Sequence, residues 1–361
     1  MTRNVKLILA SGAAALLLLL FSLSALRRAE EAREDAVSWR TVERIDSSSG
    51  YARARAFIDG RLADHPQDAL LYYYRARLAY EHAEPEPALA DADRAIELGY
   101  AQEISHLLKA LVYGRLRGEW ARQAELASKA AALDPTYGEA YLVRAEALYA
   151  TGDHSGCARD AGSYSRMEPA APEGWEYLLL CREALGDVDG AEAAGRKVLE
   201  LRPSSHAAHW RLGRLHAARG LHKRAIRRFA EAINLSGGRP AYYLDRAASC
   251  AAEGDFSCEA WDRASAAQWE EVSSCATHYL LLGGAMYRAG ERGQALEAAG
   301  KALELDPLLP GAWRLSARLR AENGDAAGAR AALRKMAALD PALGAEAARL
   351  EAGLAGSRAA K

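Results

Sequence analysis

The chain has 361 residues, 50% hydrophobic and 26% charged, with 47 basic against 48 acidic side chains and a formal net charge of -1. That balance excludes the basic excess of a nucleic-acid binder and the composition of a disordered or collagen-like chain. Length alone allows one large domain or two ordinary ones.

The first element is an uncharged run of 20 residues at positions 7–26, LILASGAAALLLLLFSLSAL. At 1.5 Å per residue a helix of that length is about 30 Å long, one bilayer core. Arg3 and Lys6 precede it, and Arg27 and Arg28 follow. The run is expected to anchor the chain in a membrane. A signal peptide cleaved after Ser24 is the alternative, although the apolar core of such peptides usually spans ~7–15 residues. The Lys and Arg count does not fix the orientation, since Arg3 and Lys6 stand against Arg27, Arg28 and Arg33. Export, to a periplasm or a cell surface, is expected because exported chains begin with a basic stretch followed by an apolar run. No cysteine follows the run where a lipid-modified one would stand.

From residue 35 a 34-residue pattern recurs, written most clearly at 276–309 as ATHYLLLGGAMYRAGERGQALEAAGKALELDPLL. Tyr279, Leu282, Gly283 and Met286 share one face of a first helix, helix A. Gly290 suits the left-handed residue that ends it. Ala295, Ala299 and Ala302 stripe a second helix, helix B, and Pro307 closes the unit. In chain order the units lie near 35–68, 69–102, 104–137, 138–171, 172–205, 206–239, 240–275, 276–309 and 310–343. The first is degenerate, with Trp39, Val42 and Ile45 on helix A. Glu103 is an insertion. The third unit carries Gln123 where alanine is expected. The seventh is two residues longer than the norm, with its alanine, Ala260, displaced by one. Residues 344–361 suit a capping helix and tail.

An aromatic in slot 4, leucine-glycine in slots 7 and 8, alanine in slots 20 and 27 and proline in slot 32 resemble the tetratricopeptide repeat (TPR). The resemblance covers 35–343, and glycine holds slot 15 in seven consecutive units from Gly118 to Gly324. It implies an all-α, right-handed superhelical solenoid of about nine helix-turn-helix repeats that binds protein or peptide partners. RNA-reading pentatricopeptide repeats have a similar length but lack the Gly-Asp turn and the closing Asp-Pro found here.

The resemblance also implies that helix A residues at slots 2, 5, 9 and 12 line a concave groove. Here those slots hold Tyr73, Arg77, Tyr80, Arg115, Tyr149, Trp210, Arg214 and Tyr287, with an acidic band of Glu139, Glu146, Glu173, Glu176 and Glu183 in the middle. Aromatics and arginine dominate interface energetics. Truncating Tyr73 or Trp210 is therefore expected to cost partner binding and little stability. His206, His209 and His216 form the best metal-like grouping, but two of them fill slots 4 and 11, where core aromatics belong. No metal and no cofactor is expected. Cys250 and Cys258 flank the Gly254 turn, and Cys157 and Cys181 fall at one end of neighbouring units. Both pairs are candidate disulfides in an oxidising compartment, with Cys275 left over. Only 34 residues precede the repeats and 18 follow them, too few for a catalytic domain. A membrane-tethered adaptor is expected, with a self-associating structural protein as the alternative.

Overall fold

The computed structural model describes residues 38–359 apart from 270, 271 and 273, so the apolar run at 7–26 lies outside the described residues. Among the described residues no helix is long and apolar enough to cross a membrane. The fold is all-α, a series of antiparallel helical hairpins. The helices are α1 (Trp39–Ser49), α2 (Tyr51–Asp64), α3 (Ala69–Glu81), α4 (Pro85–Glu97) and α5 (Gln102–Leu111). Next come α6 (Trp120–Leu133), α7 (Gly138–Thr151), α8 (His154–Met167), α9 (Pro172–Ala184) and α10 (Val188–Leu201). They are followed by α11 (His206–Ala218), α12 (His222–Ser236), α13 (Pro240–Ala252), α14 (Phe256–Ala266) and α15 (Ala276–Arg288). The series ends with α16 (Arg292–Leu305), α17 (Pro310–Glu322), α18 (Ala326–Leu339) and α19 (Gly344–Ala359). These helices form two compact units, one ending at Arg202 and the other beginning at Pro203. Within each unit every hairpin packs on the next.

The turn inside each hairpin follows from one slot. Gly118, Gly152, Gly186, Gly220, Gly254, Gly290 and Gly324 all adopt positive φ, between 71° and 90°, a region closed to most L-residues by their Cβ. Asp follows in four of these turns and caps helix B. The carboxylates of Asp153, Asp187, Asp255 and Asp325 accept from the backbone N–H three residues on. The second repeat makes the same turn with Ala83, at φ 58°.

Between the two helices of a hairpin the space is narrow. Slots 20 and 27 are sealed in nearly every unit, by Ala88 and Ala95, Ala191 and Val198, Ala225 and Ala232, and Ala295 and Ala302. Adjacent hairpins are tied by the slot-4 ring. Its polar tip donates to the carbonyl of the preceding slot-32 proline in Tyr72–Pro66, Tyr141–Pro135, Trp175–Pro169 and Trp313–Pro307, at 2.8–3.3 Å.

Three hairpins add an ion pair that replaces the usual slot-7 leucine. Arg75, Arg144 and Arg246 each grip an aspartate 16 residues on, Asp91, Asp160 and Asp262, in bidentate fashion at 2.6–2.9 Å. The same guanidinium groups lie 5.3–6.0 Å from the slot-4 rings of Tyr72, Tyr141 and Tyr243. Each such triad cross-links helix A to helix B through its side chains.

Disulfides join Cys157 to Cys181, with Cα atoms 6.0 Å apart, and Cys250 to Cys258, at 5.9 Å. Cys275 is free and exposed. The first bridge links helix B of repeat four to helix A of repeat five, and the second closes one hairpin turn.

Two predictions follow the turn and the bridges. Ala83→Gly removes a left-handed alanine, so urea unfolding of the first unit should show a gain of about 1 kcal/mol; a loss would mean that the alanine methyl is needed where it stands. Reduction should leave the far-ultraviolet circular dichroism helical. In the chain-entropy model the closed loops are worth about 2.5 kcal/mol for the shorter and about 3.5 kcal/mol for the longer. Hydrogen exchange after reduction should therefore quicken around both bridges, and wholesale loss of helix would refute the estimate.

Candidate functional site

In the first unit, the helix A face carrying slots 2, 5, 9 and 12 is packed rather than open. Tyr73 is 2% exposed, between the rings of Tyr74 and Tyr100 at 6.2 and 5.2 Å. Arg77 lies over the Trp39 ring at 3.6 Å, and its Nε donates to Glu81 at 3.0 Å. Burial pushes that guanidinium down to about 10, against the pull of Tyr73 and Glu81. Tyr80 is buried and faces Arg115. The expectation that Tyr73 could be trimmed at little cost in stability is corrected here. A buried tyrosine cut to alanine leaves a cavity worth about 3–5 kcal/mol. Slots turned about 100° from the hairpin partner still meet the neighbouring hairpin.

Arg115 marks the third repeat as unusual. Helix α5 continues into a π-turn at Val112–Leu116, the wide turn that often marks functional sites. The cause is Gln123 in slot 20. A Cβ on Gly114 would sit 1.4 Å from the Gln123 Oε1 atom, so the amide fits only beside a glycine. Gln123 Nε2 donates to the Val143 carbonyl at 3.0 Å and to Glu146 at 3.1 Å. Glu146 also receives Arg115, through Nε at 3.2 Å and Nη2 at 3.0 Å. Burial opposes the Arg115 charge, but Glu146 outweighs it and keeps the guanidinium firmly protonated. Tyr177 of the fifth repeat faces the same carboxylate. The network therefore spans repeats two to five.

A second polar group lies at the slot-2 end of this face. Glu139 in α7 and Glu173 in α9 are 5% and 4% exposed. Between their helices stands Tyr164, in the slot where alanine is the rule. It fits because Gly138 and Gly174 flank it; a Cβ on Gly174 would come 2.6 Å from the ring. The hydroxyls of Tyr137 and Tyr164 are buried without a hydrogen-bond partner among the described residues, as is Glu173 Oε2. Glu173 Oε1 accepts from Arg202 at 2.7 Å, and Arg202 also donates to Glu176 at 2.8 Å. Among the described residues, Glu139 has no such cation. Burial pushes its carboxyl up to about 7; its own backbone N–H opposes the shift, and Glu168 and Asp134 add to it.

In the second unit the same face is more accessible. Trp210 is half-buried, donates from Nε1 to Asp245 at 2.6 Å and stacks on Tyr242 at 5.3 Å. Arg214 is exposed, 5.1 Å from the Trp210 ring. The Tyr287 hydroxyl donates to Glu322, and Arg318 lies 4.7 Å from its ring. Tyr149, in the first unit, is half-buried beside His154 at 5.5 Å. Irregular repeat seven places Glu259, not the displaced Ala260, in the sealed slot 20. Its carboxylate accepts from Arg263 at 3.0 Å and from Arg288 of the next repeat at 2.6 Å.

The histidines act as slot aromatics. His209 Nε2 lies 3.2 Å from the Pro203 carbonyl, the bond that Tyr or Trp makes elsewhere. A carbonyl only accepts, so Nε2 carries the hydrogen; burial lowers the affinity of this ring for a second proton. His206 Nδ1 is 2.9 Å from the Tyr242 hydroxyl. Among the described residues, Cys250, Cys258 and Asp262 alone bring three potential metal-ligand atoms within 4.8 Å of one another. The two sulfurs are bonded to each other and the carboxylate is held by Arg246.

No protein-family model and no curated protein matches the chain. Among solved structures it is similar to the C-terminal part of a TPR repeat-containing protein from Cytophaga hutchinsonii. The identity is 17% and the TM-score 0.46, over 84% of this chain and 96% of that one. A tetratricopeptide repeat protein from Parabacteroides merdae aligns at 12% identity and TM-score 0.46, over 69% and 98% of the two chains. YrrB, described as a TPR protein with an unusual peptide-binding site, aligns at 19% and 0.44, over 49% and 91%.

The state of Glu139 gives a pH prediction. Its folded pKa lies above the ordinary value of a glutamate, so the fold binds its proton more tightly than the unfolded chain does. Its contribution is full below pH ~4.5 and is lost as pH rises through about 7. Between pH 5 and 8 the wild type should lose roughly 2–3 kcal/mol through this group. Urea titrations of the wild type and Glu139→Gln should differ in slope over that window. Equal slopes would show that Glu139 titrates normally.

Proposed function

We propose that the chain is a membrane-tethered TPR scaffold, non-catalytic and extracytoplasmic, that holds a peptide or extended partner segment along the slot 2, 5, 9 and 12 face. One observation carries this: in the first unit that face and the residues packed directly behind it bury polar groups whose hydrogen bonds are incomplete. Arg115 Nη1, Gln123 Oε1, Glu173 Oε2 and the phenols of Tyr137 and Tyr164 have no partner among the described residues. Each such group costs about 1–3 kcal/mol of stability, which an incoming segment recovers by completing the bonds. In the second unit, Trp210 with Arg214 and Tyr287 with Arg318 supply the rigid aromatic and guanidinium contacts that anchor interfaces.

The tether rests on the apolar run at 7–26 and its flanking arginines. Two disulfides support an oxidising compartment. Self-association of the array is the competing reading, and it uses the same face on a second copy.

Photo-crosslinking in cells tests the reading. A photoreactive residue at Tyr149, Arg214 or Tyr287 should capture a protein other than this chain, and one at exposed Leu133 or Leu305 should not. Trp210→Ala should then cost roughly 2 kcal/mol of binding. Crosslinks to this chain alone would favour self-association, and crosslinks confined to Leu133 and Leu305 would sink the groove. A reporter active only after export, fused behind Lys361, should give signal, and the protein should resist alkaline carbonate extraction. A soluble product beginning at Ala25 would replace the anchor by a cleaved signal.

A further inference from the structure

Repeats four and five hold the same carboxylate in the same slot with opposite surroundings. In repeat five the slot-2 residue is Glu173, and the guanidinium of slot-31 Arg202 lies on it at 2.7 Å. In repeat four the slot-2 residue is Glu139, and slot 31 is Glu168. Where one repeat supplies its carboxylate with a guanidinium, the other brings a second carboxylate. A buried carboxylate without a cation is costly, and nothing in the hairpin packing demands it, because slot 2 in the second repeat is the apolar Leu70.

The surroundings of Glu139 are also specialised. Tyr164 displaces the usual alanine, and glycines at 138 and 174 make room for it. Its phenol and that of Tyr137 are buried, lack partners among the described residues, and have Glu139 as the carboxylate that weighs most on them. Phenol oxygens accept hydrogen bonds and phenol rings attract cations. Both sit beside a carboxylate that has no counter-charge among the described residues.

We propose that Glu139, with the phenols of Tyr137 and Tyr164, receives the guanidinium of an arginine side chain from the partner segment. Arg202 shows the fit within the chain, since it serves two carboxylates at once, Glu173 and Glu176, at 2.7 and 2.8 Å. A planar guanidinium has five donors in a fixed fork. It can reach Glu139 and a neighbouring phenol oxygen together, whereas an ammonium has three donors from one point. The site deepens the scaffold reading and rests on it, because the arginine comes from the bound segment.

Binding requires Glu139 to be ionised, so it should strengthen as pH rises through about 7. The groups that face Glu139 are Glu168 from the end of α8, Asp134 from the end of α6, and the phenols of Tyr137 and Tyr164. Arg202 stays on Glu173 and Glu176 throughout.

The test uses the full chain with glutamate carboxyls labelled for NMR, titrated with acetyl-arginine amide and with its neutral isostere acetyl-citrulline amide. The arginine probe should lower the Glu139 midpoint and citrulline should not. Glu139→Gln should weaken the arginine probe by about tenfold or more. Glu168→Arg should build the missing guanidinium into repeat four, lower the Glu139 midpoint with no probe present, and block the probe. Melting curves establish that both variants fold. Equal binding of the two probes, a shift spread evenly over the exposed glutamates, or full affinity in Glu139→Gln would each overturn the site. An ammonium probe, acetyl-lysine amide, that binds as tightly as arginine would overturn the choice of guanidinium. If the chain captures its partner in cells and Glu139→Gln captures it equally, the scaffold stands and this site falls. If the arginine probe binds through Glu139 and no partner is captured, the site stands and the scaffold reading falls.

Discussion

The separation between the two helices of a hairpin is the constraint on which the rest of the structure depends. Slots 8, 20 and 27 set it, and most hold residues no larger than alanine. At Gly283 a Cβ would lie 3.2 Å from the Ala295 carbonyl oxygen, so helix B there approaches helix A almost backbone to backbone. Interiors pack at crystal density and transmit strain. A larger residue in one slot must then be answered by a smaller one opposite. Phe229 is answered by Gly213, Tyr164 by Gly138 and Gly174, and Gln123 by Gly114. In the last case glycine does not suffice, and the helix absorbs the misfit as a π-turn.

These departures coincide with the chemistry. An array of alanine-striped hairpins carries little chemistry beyond shape. Each departure admits a functional group instead: an amide at Gln123, a phenol at Tyr164, a carboxylate at Glu259. Each then reaches past its own hairpin, Gln123 to Glu146 of the next repeat and Glu259 to Arg288. Helix B of one repeat is therefore held in register with helix A of the next by polar as well as apolar contact. A buried network with all partners present stiffens a site, and one with a partner missing costs free energy until it is supplied.

The fold was legible in the sequence because its signals are local and repeated. Glycine at slot 15 reads as a left-handed turn wherever it occurs, from Gly118 to Gly324, and φ values of 71–90° follow. The slot-4 ring could be read even through His209, which makes the same bond to a proline carbonyl as Trp175 does. Arg144 and Asp160 were not legible. They stand 16 apart, and a 34-residue template treats slot 7 as an apolar position. The state of the groove residues was not legible either. Slot number says that Tyr73 and Tyr80 turn away from their own hairpin partner, but how far the neighbouring hairpin covers them depends on packing between repeats. One signal was available for Glu139: slot 31 changes from Arg202 in repeat five to Glu168 in repeat four, visible once units are aligned.

Charge gives the remaining step. With 47 basic and 48 acidic side chains interspersed along the chain, no strong net field steers a partner from a distance, and a screening length of about 8 Å at physiological salt would blunt one. If the chain holds a partner as proposed, discrimination comes from groups that meet at contact, where water is excluded and a mispaired charge is expensive. The exposed ion pairs, such as Arg94 with Glu97 or Lys129 with Glu125, contribute little there because solvent already serves them. The buried ones differ. Arg115 on Glu146 is a completed pair that holds repeats three and four together, and Arg202 on Glu173 does the same between α9 and the end of α10. Glu139 lies on the same helix as Glu146 and one repeat before Glu173, buried as both are and with no cation among the described residues. Among its described residues the first unit thus neutralises its buried charge by rule and breaks the rule at Glu139, and on the proposed scaffold reading selectivity at this face reduces to what can be brought to that carboxylate.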